Sequence, residues 1–224
     1  MAARGGQQRI PRPPGTRRGG PPPWAGAEGA RGPVALAEAV DRITRGPAPM
    51  APTFNVSDAR EAAVLVALYE DQGDTHVVLT KRPETMPSHQ GEIAFPGGKR
   101  DPGDVDLAAA ALREAHEEVG IVPAQVEILG ELDTIATVAS AFTITPIVGL
   151  LPAPPQLVPD PFEVVDAFGI SLSELLHPDT YREEFWDLWG EYRSMTFFEL
   201  PSETVWGATA RILTRLLTIV TTPT

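Results

Sequence analysis

Three glutamates, Glu114, Glu117 and Glu118, lie close together near the middle of the chain. On an α-helix the spacings i, i+3 and i+4 place their carboxylates on one face. Like charges at this spacing repel each other and destabilise a helix unless something compensates them. A hard cation such as Mg²⁺ or Mn²⁺ binds carboxylate oxygens and leaves positions for water and phosphate oxygens. The spacing therefore indicates a divalent-metal site, although a solvated acidic helix face would show it as well.

The helix that would carry these glutamates is predicted over residues 105–119. Asp104 could cap its N-terminus, and Gly120 could end it. An apolar stripe that could pack on a sheet lies beside the acidic face and is formed by Ala108, Ala111, Leu112, Ala115 and Val119. The glutamates would therefore border the core of the domain instead of lying free in water.

Residues around the glutamates could shape a site for a phosphate group. Gly97 and Gly98 permit a close approach of the backbone to a ligand, or a positive φ angle. Arg113 could hold the upstream loop through a charge-assisted hydrogen bond to a carboxylate or to carbonyl groups. Two further cations at the end of a predicted strand are candidate phosphate partners, Lys81 and Arg82.

The pattern along the rest of the chain predicts a mixed α and β domain. Apolar runs bounded by turn residues predict strands over 62–70, 76–82, 93–95, 126–136, 142–150 and 163–170, and a hairpin within 185–199. Helical spacing and capping residues predict helices over 33–45, 105–119, 172–177 and 202–220, the last with Ser202 as N-cap. Strands interspersed with helices predict a mixed sheet that is covered on both faces.

Residues 1–32 differ from the rest of the chain in composition and charge. They are rich in Gly, Pro and Arg and contain six arginines and one acid, so they carry a charge of +5 and leave −17 for residues 33–224. With almost nothing to bury, the segment is predicted to be a disordered tail. A transit-like segment is the alternative, which three consecutive prolines disfavour. The acidic remainder argues against nucleic acid as a partner.

Other features of the composition exclude several classes of function. Without cysteine, the chain has no thiolate nucleophile, no thiolate zinc site and no disulfide. No apolar run approaches the roughly 18 residues that span a bilayer, and the basic N-terminal segment lacks the apolar region of a signal peptide. We therefore expect a cytoplasmic protein that acts without a membrane. The oligomeric state stays open.

Residues 97–121 resemble the signature of the Nudix hydrolases. The signature is a glycine, five residues, an acid, seven residues, Arg-Glu, an apolar residue, any residue, Glu-Glu, any residue, Gly and an apolar residue. Here Gly98, five residues, Asp104 and eight residues precede the run REAHEEVGI of residues 113–121. The first acid is thus Asp instead of Glu, and one extra residue precedes Arg113. Both departures resemble the coenzyme A pyrophosphatase branch of the family.

A second block of residues, 77–98, resembles the same branch. The matching positions are Leu79, Thr80, Arg82, His89, Gly91, Glu92, Phe95, Pro96, Gly97 and Gly98. The spacer differs, because residues 83–87 read PETMP where the branch has a serine, two residues, leucine and arginine. Residues 159–176 and 205–213 are also similar to the branch. The resemblance covers about residues 33–220 and leaves the tail outside it.

The resemblance implies a Nudix-type α/β/α sandwich with a mixed β-sheet for residues 33–224, including N-terminal and C-terminal helices. It implies hydrolysis of a small diphosphate substrate, coenzyme A or a derivative, to 3′,5′-ADP and (acyl-)phosphopantetheine. The implied ligands of Mg²⁺ or Mn²⁺ are Glu114, Glu117 and Glu118, which would act in catalysis together with Arg113. The implied substrate-binding residues are Lys81, Arg82, Gly97 and Gly98.

Two alternatives to coenzyme A hydrolysis remain open. The altered spacer favours another substrate, such as ADP-ribose, a dinucleotide or a nucleoside triphosphate. A Nudix-fold module that binds a nucleotide without cleaving it would be expected to have lost the three glutamates, which this chain retains.

Five further residues are interpreted individually. Glu163 could add a metal ligand or a base from a strand, or be an edge-strand charge. His89 is predicted to fix a loop, and His116 to point away from the glutamates into solvent. Trp206 and Thr209 are predicted to pack and to cap, although the resemblance leaves room for a position near the substrate.

Overall fold

The computed structural model describes residues 4–8, 10–27, 32–52, 56, 58–85, 90–137, 141–188 and 190–222. The helices in these ranges are α1 (Leu36–Thr44), α2 (Leu107–Val119), α3 (Leu172–Leu175) and α4 (Gly207–Thr221), with a 3₁₀ turn at Pro123–Gln125. The strands are β1 (Arg17–Arg18), β2 (Arg60–Asp71), β3 (Asp74–Lys81), β4 (Ile93–Ala94), β5 (Gly97–Lys99), β6 (Glu127–Glu131), β7 (Ile135–Thr137), β8 (Phe142–Leu150), β9 (Asp166–Ser171), β10 (Tyr181–Leu188), β11 (Glu191–Glu199) and β12 (Thr204–Trp206).

The larger of two sheets has the strand order β4-β3-β2-β8-β6, and it also contains β5 beside β2, β7 beside β8 and β9 beside β3. Strands β2 and β8 pair in parallel. The neighbouring pairs β2 with β3 and β6 with β8 are antiparallel. The sheet is therefore mixed, as the sequence predicts.

Helices cover both faces of this sheet, because the long central strand β2 alternates its buried side chains between two cores. One core joins Ala63, Leu65 and Ala67 of β2 to the alanine-rich stripe of α2. The other joins Val66 and Leu68 to α4 through Leu213, Leu216 and Leu217. Helix α1 lies against α4. This arrangement confirms the predicted α/β/α sandwich.

The smaller sheet has the order β1-β10-β11-β12 and shares the second of these cores. Its central pair β10 and β11 is the predicted hairpin, with Tyr181 opposite Phe198. Strand β12 then pairs with β11 and runs directly into α4 at Gly207, where φ is +66°. The smaller sheet thus fixes the position at which the last helix begins.

The described part of residues 1–32 packs against the smaller sheet, where the sequence predicts a disordered tail. Strand β1 adds to the sheet edge beside β10. Trp24 is 5% exposed and lies against the rings of Tyr181 and Phe198, with centroid distances of 5.3 and 6.3 Å. The difference arises because composition describes a segment as a whole and gives little weight to one tryptophan that the folded domain can bury.

Two predicted boundaries differ from the structure near the site. The strand expected from residue 163 begins at Asp166, so Glu163 lies in the preceding turn. The helix expected from Ser202 begins at Gly207, because residues 204–206 extend the sheet before the chain turns. No helix in the described ranges is long and apolar enough to cross a membrane.

Candidate active site

Helix α2 is stopped at both ends by residues of the expected types. Gly120 ends it in the left-handed conformation at φ 75° and ψ 13°, as predicted. The N-cap is Asp106 instead of Asp104, and its carboxylate accepts a hydrogen bond from the Ala109 amide at 2.7 Å. Asp104 does not cap the helix, because its carboxylate accepts hydrogen bonds from Arg113 instead.

The pair of Arg113 and Asp104 joins the loop before α2 to the middle of the helix. The guanidinium donates from Nε and Nη2 to the two carboxylate oxygens, each at 3.0 Å. It also donates to the Lys99 carbonyl at 3.1 Å. These hydrogen bonds hold the pKa of Asp104 below its usual value and that of Arg113 above its own. The predicted role of Arg113 in holding the upstream loop therefore matches the geometry.

The remaining nitrogen of this guanidinium binds two of the glutamates. Nη1 of Arg113 donates to Glu114 at 2.9 Å and to Glu117 at 3.0 Å. The side chain of Glu114 is 17% exposed, whereas that of Glu117 is 58% exposed. The three glutamates therefore differ in environment: Glu114 lies at the edge of the core, and Glu117 lies in solvent at the rim.

Glu118 is the most deeply placed of the three carboxylates. Its side chain is 4% exposed, and it accepts a hydrogen bond from the Gly97 amide at 3.1 Å. The guanidinium of Arg82 lies 3.9 Å away. Burial raises the pKa of Glu118 to about 7, which outweighs the opposite effects of the Gly97 amide and of Arg82. A positive charge beside this carboxylate would favour its ionised form.

The two glycines are required because other groups occupy the space of a side chain. A Cβ atom on Gly98 would lie 2.5 Å from the carboxyl carbon of Glu114. A Cβ atom on Gly97 would lie 2.5 Å from the backbone Cα of Val64 on strand β2. Both glycines belong to β5, which pairs with β2. Because neither glycine has a side chain, β5 can lie directly against β2 on one side and against the Glu114 carboxylate on the other.

Glu163 also lies near the glutamates, although on a turn instead of the expected strand. The Asp160 amide donates to the Glu118 carbonyl at 2.9 Å, which ties this turn to the end of α2. The charge of Glu163 raises the pKa values of both Glu114 and Glu118, after the larger effect of burial. His116 is exposed, as predicted. His89 lies outside the described residues, so its predicted role is not tested.

The structure separates the two cations that the sequence grouped together. Arg82 lines the cleft beside Glu118. Lys81 instead forms an ion pair with Glu203, at 2.6 Å between Nζ and Oε1, and it does not line the cleft. Adjacent positions at the end of a strand point to opposite sides of the sheet, which explains why only one of them reaches the glutamates.

A cleft of about 840 Å³ begins at Glu118 and extends between the two sheets and α4. The residues at its polar end are Arg82, Gly97, Gly98 and Glu118. Its remaining walls are largely apolar and include Ile135, Phe142, Ile144, Met195, Trp206 and Ile212. Sequence reasoning missed most of these walls, because β7, β8 and β11 carry no polar motif. For Trp206, the open possibility of a position near the substrate agrees with its place in the wall.

The chemistry of the donor set fits a hard divalent cation, for which carboxylate oxygens are the preferred ligands. Within the described ranges, no three His, Asp or Glu side chains form a ready cluster that could hold a metal ion. Arg113 stands between Glu114 and Glu117 and supplies positive charge there. Burial raises the pKa of Glu118, and a cation bound beside this carboxylate would favour its ionised form.

Comparison with known proteins identifies the family of this chain. The family profile described as NUDIX domain matches residues 59–188, more than half of the chain. The chain is 37% identical over 184 residues to the uncharacterized Nudix hydrolase NudL of Photorhabdus laumondii, which covers 82% of this chain and 96% of that protein. It is 36% identical over 168 residues to the chloroplastic Nudix hydrolase 22 of Arabidopsis thaliana, covering 72% of this chain and 55% of that protein.

Solved structures of Nudix proteins are similar at lower identity. RenU of M. smegmatis is 24% identical with a TM-score of 0.44, over 50% of this chain and 71% of that chain. A MutT/nudix protein of Enterococcus faecalis is 16% identical with a TM-score of 0.47, over 81% of this chain and 68% of that chain. The matched profile and the curated relatives establish the family: this chain belongs to the Nudix hydrolases, metal-dependent enzymes that act on phosphorus-containing anhydrides.

Proposed function

We propose that this enzyme hydrolyses the diphosphate bond of coenzyme A or of its acyl derivatives, which yields 3′,5′-ADP and phosphopantetheine or its acyl form. The observation that carries the proposal is the position of Glu118 at one end of a large, mainly apolar cleft, with Glu114 against the neighbouring Gly98. A diphosphate can bind at the carboxylate end, while the organic groups attached to it lie along the cleft.

Two features support coenzyme A as the substrate class. Residues 77–98 resemble the block typical of the coenzyme A branch, and they contribute Arg82 to the polar end of the cleft. A guanidinium at this place can bind two phosphate oxygens at once. The volume of about 840 Å³ and the apolar walls suit a substrate with a large organic chain beyond the diphosphate.

In the proposed reaction Glu114, Glu117 and Glu118 would hold Mg²⁺ or Mn²⁺. When bound, such an ion offsets the charge of the diphosphate and lowers the pKa of a coordinated water. A carboxylate of this group, or Glu163 on the neighbouring turn, accepts the proton of the attacking water. The water oxygen bonds to phosphorus as the bond from that phosphorus to the bridging oxygen breaks. Arg113 keeps two of the carboxylates in place throughout.

A panel of diphosphates tests the substrate. Coenzyme A, acetyl-coenzyme A, ADP-ribose, a dinucleotide and a nucleoside triphosphate are incubated with the enzyme and with Mg²⁺ or Mn²⁺, and the products are separated by liquid chromatography. We expect the highest kcat/KM for coenzyme A or its acetyl form, with 3′,5′-ADP as a product. Absence of 3′,5′-ADP at any enzyme concentration would overturn the coenzyme A proposal.

Another diphosphate is the second candidate substrate, and one observation favours it. Residues 83–87 lack the arginine that the coenzyme A branch has in its spacer. An enzyme with this change would be expected to lose an anion contact and to accept a smaller or less charged substrate. The same panel decides between the two, because a kcat/KM for ADP-ribose well above that for coenzyme A would support this candidate.

A further inference from the structure

The N-terminal segment is attached to the same small sheet that supplies one wall of the cleft. Its residues 10–27 lie outside the part of the chain that matches the family profile, residues 59–188. Strand β1 pairs with β10, and the Gly19 amide donates to the Glu183 carbonyl at 2.8 Å. The same sheet contributes Met195 of β11 and Trp206 of β12 to the cleft. Contacts of the segment with this sheet can therefore affect the wall.

One such contact joins Arg12 of the segment to Glu184 on β10. The Nε atom of Arg12 donates to Oε2 of Glu184 at 3.2 Å and lies 3.1 Å from Oε1. Arg182, two residues earlier on β10, also donates to Oε1. The side chain of Glu184 is only 13% exposed. The segment thus supplies a charge-assisted hydrogen bond to a carboxylate that is largely shielded from solvent.

Glu184 in turn holds the indole ring of Trp186. The Nε1 atom of Trp186 donates at 2.7 Å to Oε2 of Glu184, the oxygen that also accepts from Arg12. Trp186 is 4% exposed. An indole has a single donor and no acceptor, so the position of this carboxylate fixes the rotation of the ring.

Trp186 packs directly behind residues that line the cleft. Its ring centroid lies 6.2 Å from that of Trp206, with 38° between the two planes. It also stands opposite Arg193 in the register of β10 and β11, and Arg193 lines the cleft as well. Paired residues of an antiparallel sheet share one face, with their Cβ atoms about 5 Å apart. Because interiors are close-packed, a movement of Trp186 would displace one of these two neighbours.

A second contact links Arg12 to the same pair of indole rings. Its guanidinium carbon lies 5.6 Å from the ring centroid of Phe197, which is fully buried. Phe197 pairs with Trp206 in the sheet, and its ring centroid lies 6.0 Å from that of Trp186. Arg12 is therefore linked to the wall of the cleft both through a carboxylate and through an aromatic ring.

We propose that Arg12 is a positioning residue for substrate binding, which acts through Glu184 and Trp186 to hold Trp206 in the wall that receives the organic part of the substrate. The inference rests on the proposed function, because a diphosphate substrate has to occupy the cleft. The three glutamates belong to α2, which packs on the larger sheet. Loss of Arg12 should therefore weaken binding and leave the chemical step unchanged, so KM rises while kcat is kept.

Steady-state kinetics with Mg²⁺ measure this division for coenzyme A and for ADP-ribose. We expect Arg12→Gln to raise KM about three- to tenfold, with kcat changed less than about twofold. Trp186→Phe keeps an aromatic ring without the donor and should raise KM in the same way. Arg12→Lys keeps the charge and should restore part of the affinity. Arg12→Gln should melt close to the wild-type temperature, because ion pairs with an exposed partner contribute little to stability.

Arg17→Gln is the matched control in the same segment. Arg17 pairs with Phe185, so its side chain lies on the face of the sheet opposite to that of Glu184. Its guanidinium carbon lies 4.0 Å from the ring centroid of Tyr192. The variant loses the same charge as Arg12→Gln and should keep the wild-type KM, which separates positioning of the wall from general attraction of an anionic substrate.

A spectroscopic measurement without substrate tests the same linkage. Two indoles at 6.2 Å couple their electronic transitions and produce an exciton couplet in the far-UV circular dichroism spectrum. Trp186→Phe should abolish this couplet and thereby assign it. Arg12→Gln should reduce its amplitude, whereas Arg17→Gln should leave it as in the wild type.

The inference is overturned if Arg12→Gln keeps either the couplet or the KM of the wild type, or if Arg17→Gln raises KM as much as Arg12→Gln does. Hydrolysis of ADP-ribose without release of 3′,5′-ADP from coenzyme A would remove the proposed substrate, and the KM for ADP-ribose then decides the inference. Hydrolysis of coenzyme A with equal KM values in the wild type and Arg12→Gln would remove the inference and leave the proposed function. Turnover of neither substrate would overturn both.

Discussion

Arg113 and Asp104 form a bidentate pair, with Nε and Nη2 each 3.0 Å from one of the two carboxylate oxygens. The third nitrogen of the same guanidinium binds Glu114 and Glu117. Arg113 therefore links the loop before α2 to two of the candidate metal ligands, so the position of the loop affects the positions of both. The aspartate is the group that orients this arginine, since it engages two of its three nitrogens.

Removal of the charge of Asp104 should impair catalysis more than folding. Asp104→Asn keeps one acceptor oxygen but loses the bidentate, charge-assisted pair, so the glutamates become less well positioned and kcat should fall about tenfold or more. Asp101→Asn is the matched control, since its exposed side chain lies 4.0 Å from Arg113. Steady-state kinetics and circular dichroism measure both variants. Equal kcat values for the two would contradict this role of Asp104.

Replacement of Gly98 by alanine should displace Glu114. A Cβ atom at this position would lie 2.5 Å from the carboxyl carbon, so the side chain must move and kcat should fall by about two orders of magnitude. Gly97→Ala should instead destabilise the fold, because its Cβ would meet the backbone of β2. Gly103→Ala, in open space on the next loop, is the control. Near-normal turnover in Gly98→Ala would show that Glu114 need not occupy its observed place.

The stability of the metal-free protein should depend on Glu118 and on pH. An unfolded glutamate titrates near 4.5, whereas burial raises the pKa of Glu118 to about 7 in the folded state. Below pH 4.5 the group is neutral in both states, and as the pH rises through 7 the folded state loses this stability. Glu118→Gln avoids that loss. At pH 8 its free energy of unfolding should therefore be about 1–3 kcal/mol higher than that of the wild type.

Urea unfolding at pH 5 and pH 8, in the presence of a chelator, measures this difference, which should be small at pH 5. The exposed Glu117 gives the control, because Glu117→Gln should leave the pH dependence as in the wild type. At pH 8, Mg²⁺ should raise the melting temperature of the wild type more than that of Glu118→Gln. An advantage of Glu118→Gln that is as large at pH 5 as at pH 8 would be incompatible with burial as the cause.

Trp24 should anchor the N-terminal segment to the smaller sheet. Trp24→Ala removes a buried ring from contact with Tyr181 and Phe198, and should lower the free energy of unfolding by about 3–5 kcal/mol. Urea unfolding measures this loss, with Phe162→Ala at an 84% exposed position as the control. If the stability of Trp24→Ala is unchanged and the segment is rapidly proteolysed in the wild type, the segment is disordered, as its composition predicts.

The sequence predicts most of the elements that carry the site. Helix α2 is evident because its apolar stripe, its acidic face and the stop at Gly120 all agree. The sequence predicts Asp104 as the capping residue instead of Asp106, because the two aspartates stand two residues apart and only the folded loop shows which one Arg113 binds. Local patterns thus identify the helix, and a tertiary contact decides its first turn.

The cleft itself could not be predicted in this way. Its apolar walls come from strands distant in sequence, and their side chains resemble those of any buried strand. The last helix is likewise predicted from Ser202 but begins at Gly207, because residues 204–206 pair with β11 and extend the smaller sheet.

The release of 3′,5′-ADP from coenzyme A by the wild type and by Glu118→Gln, in the presence of Mg²⁺, tests the central claim most directly. If the buried carboxylate at the glycine turn serves the cation and the attacking water, the wild type should accumulate 3′,5′-ADP and phosphopantetheine in equal amounts. Glu118→Gln, folded as shown by its unfolding transition, should be slower by at least about a thousandfold. Equal rates for the two proteins would contradict the account.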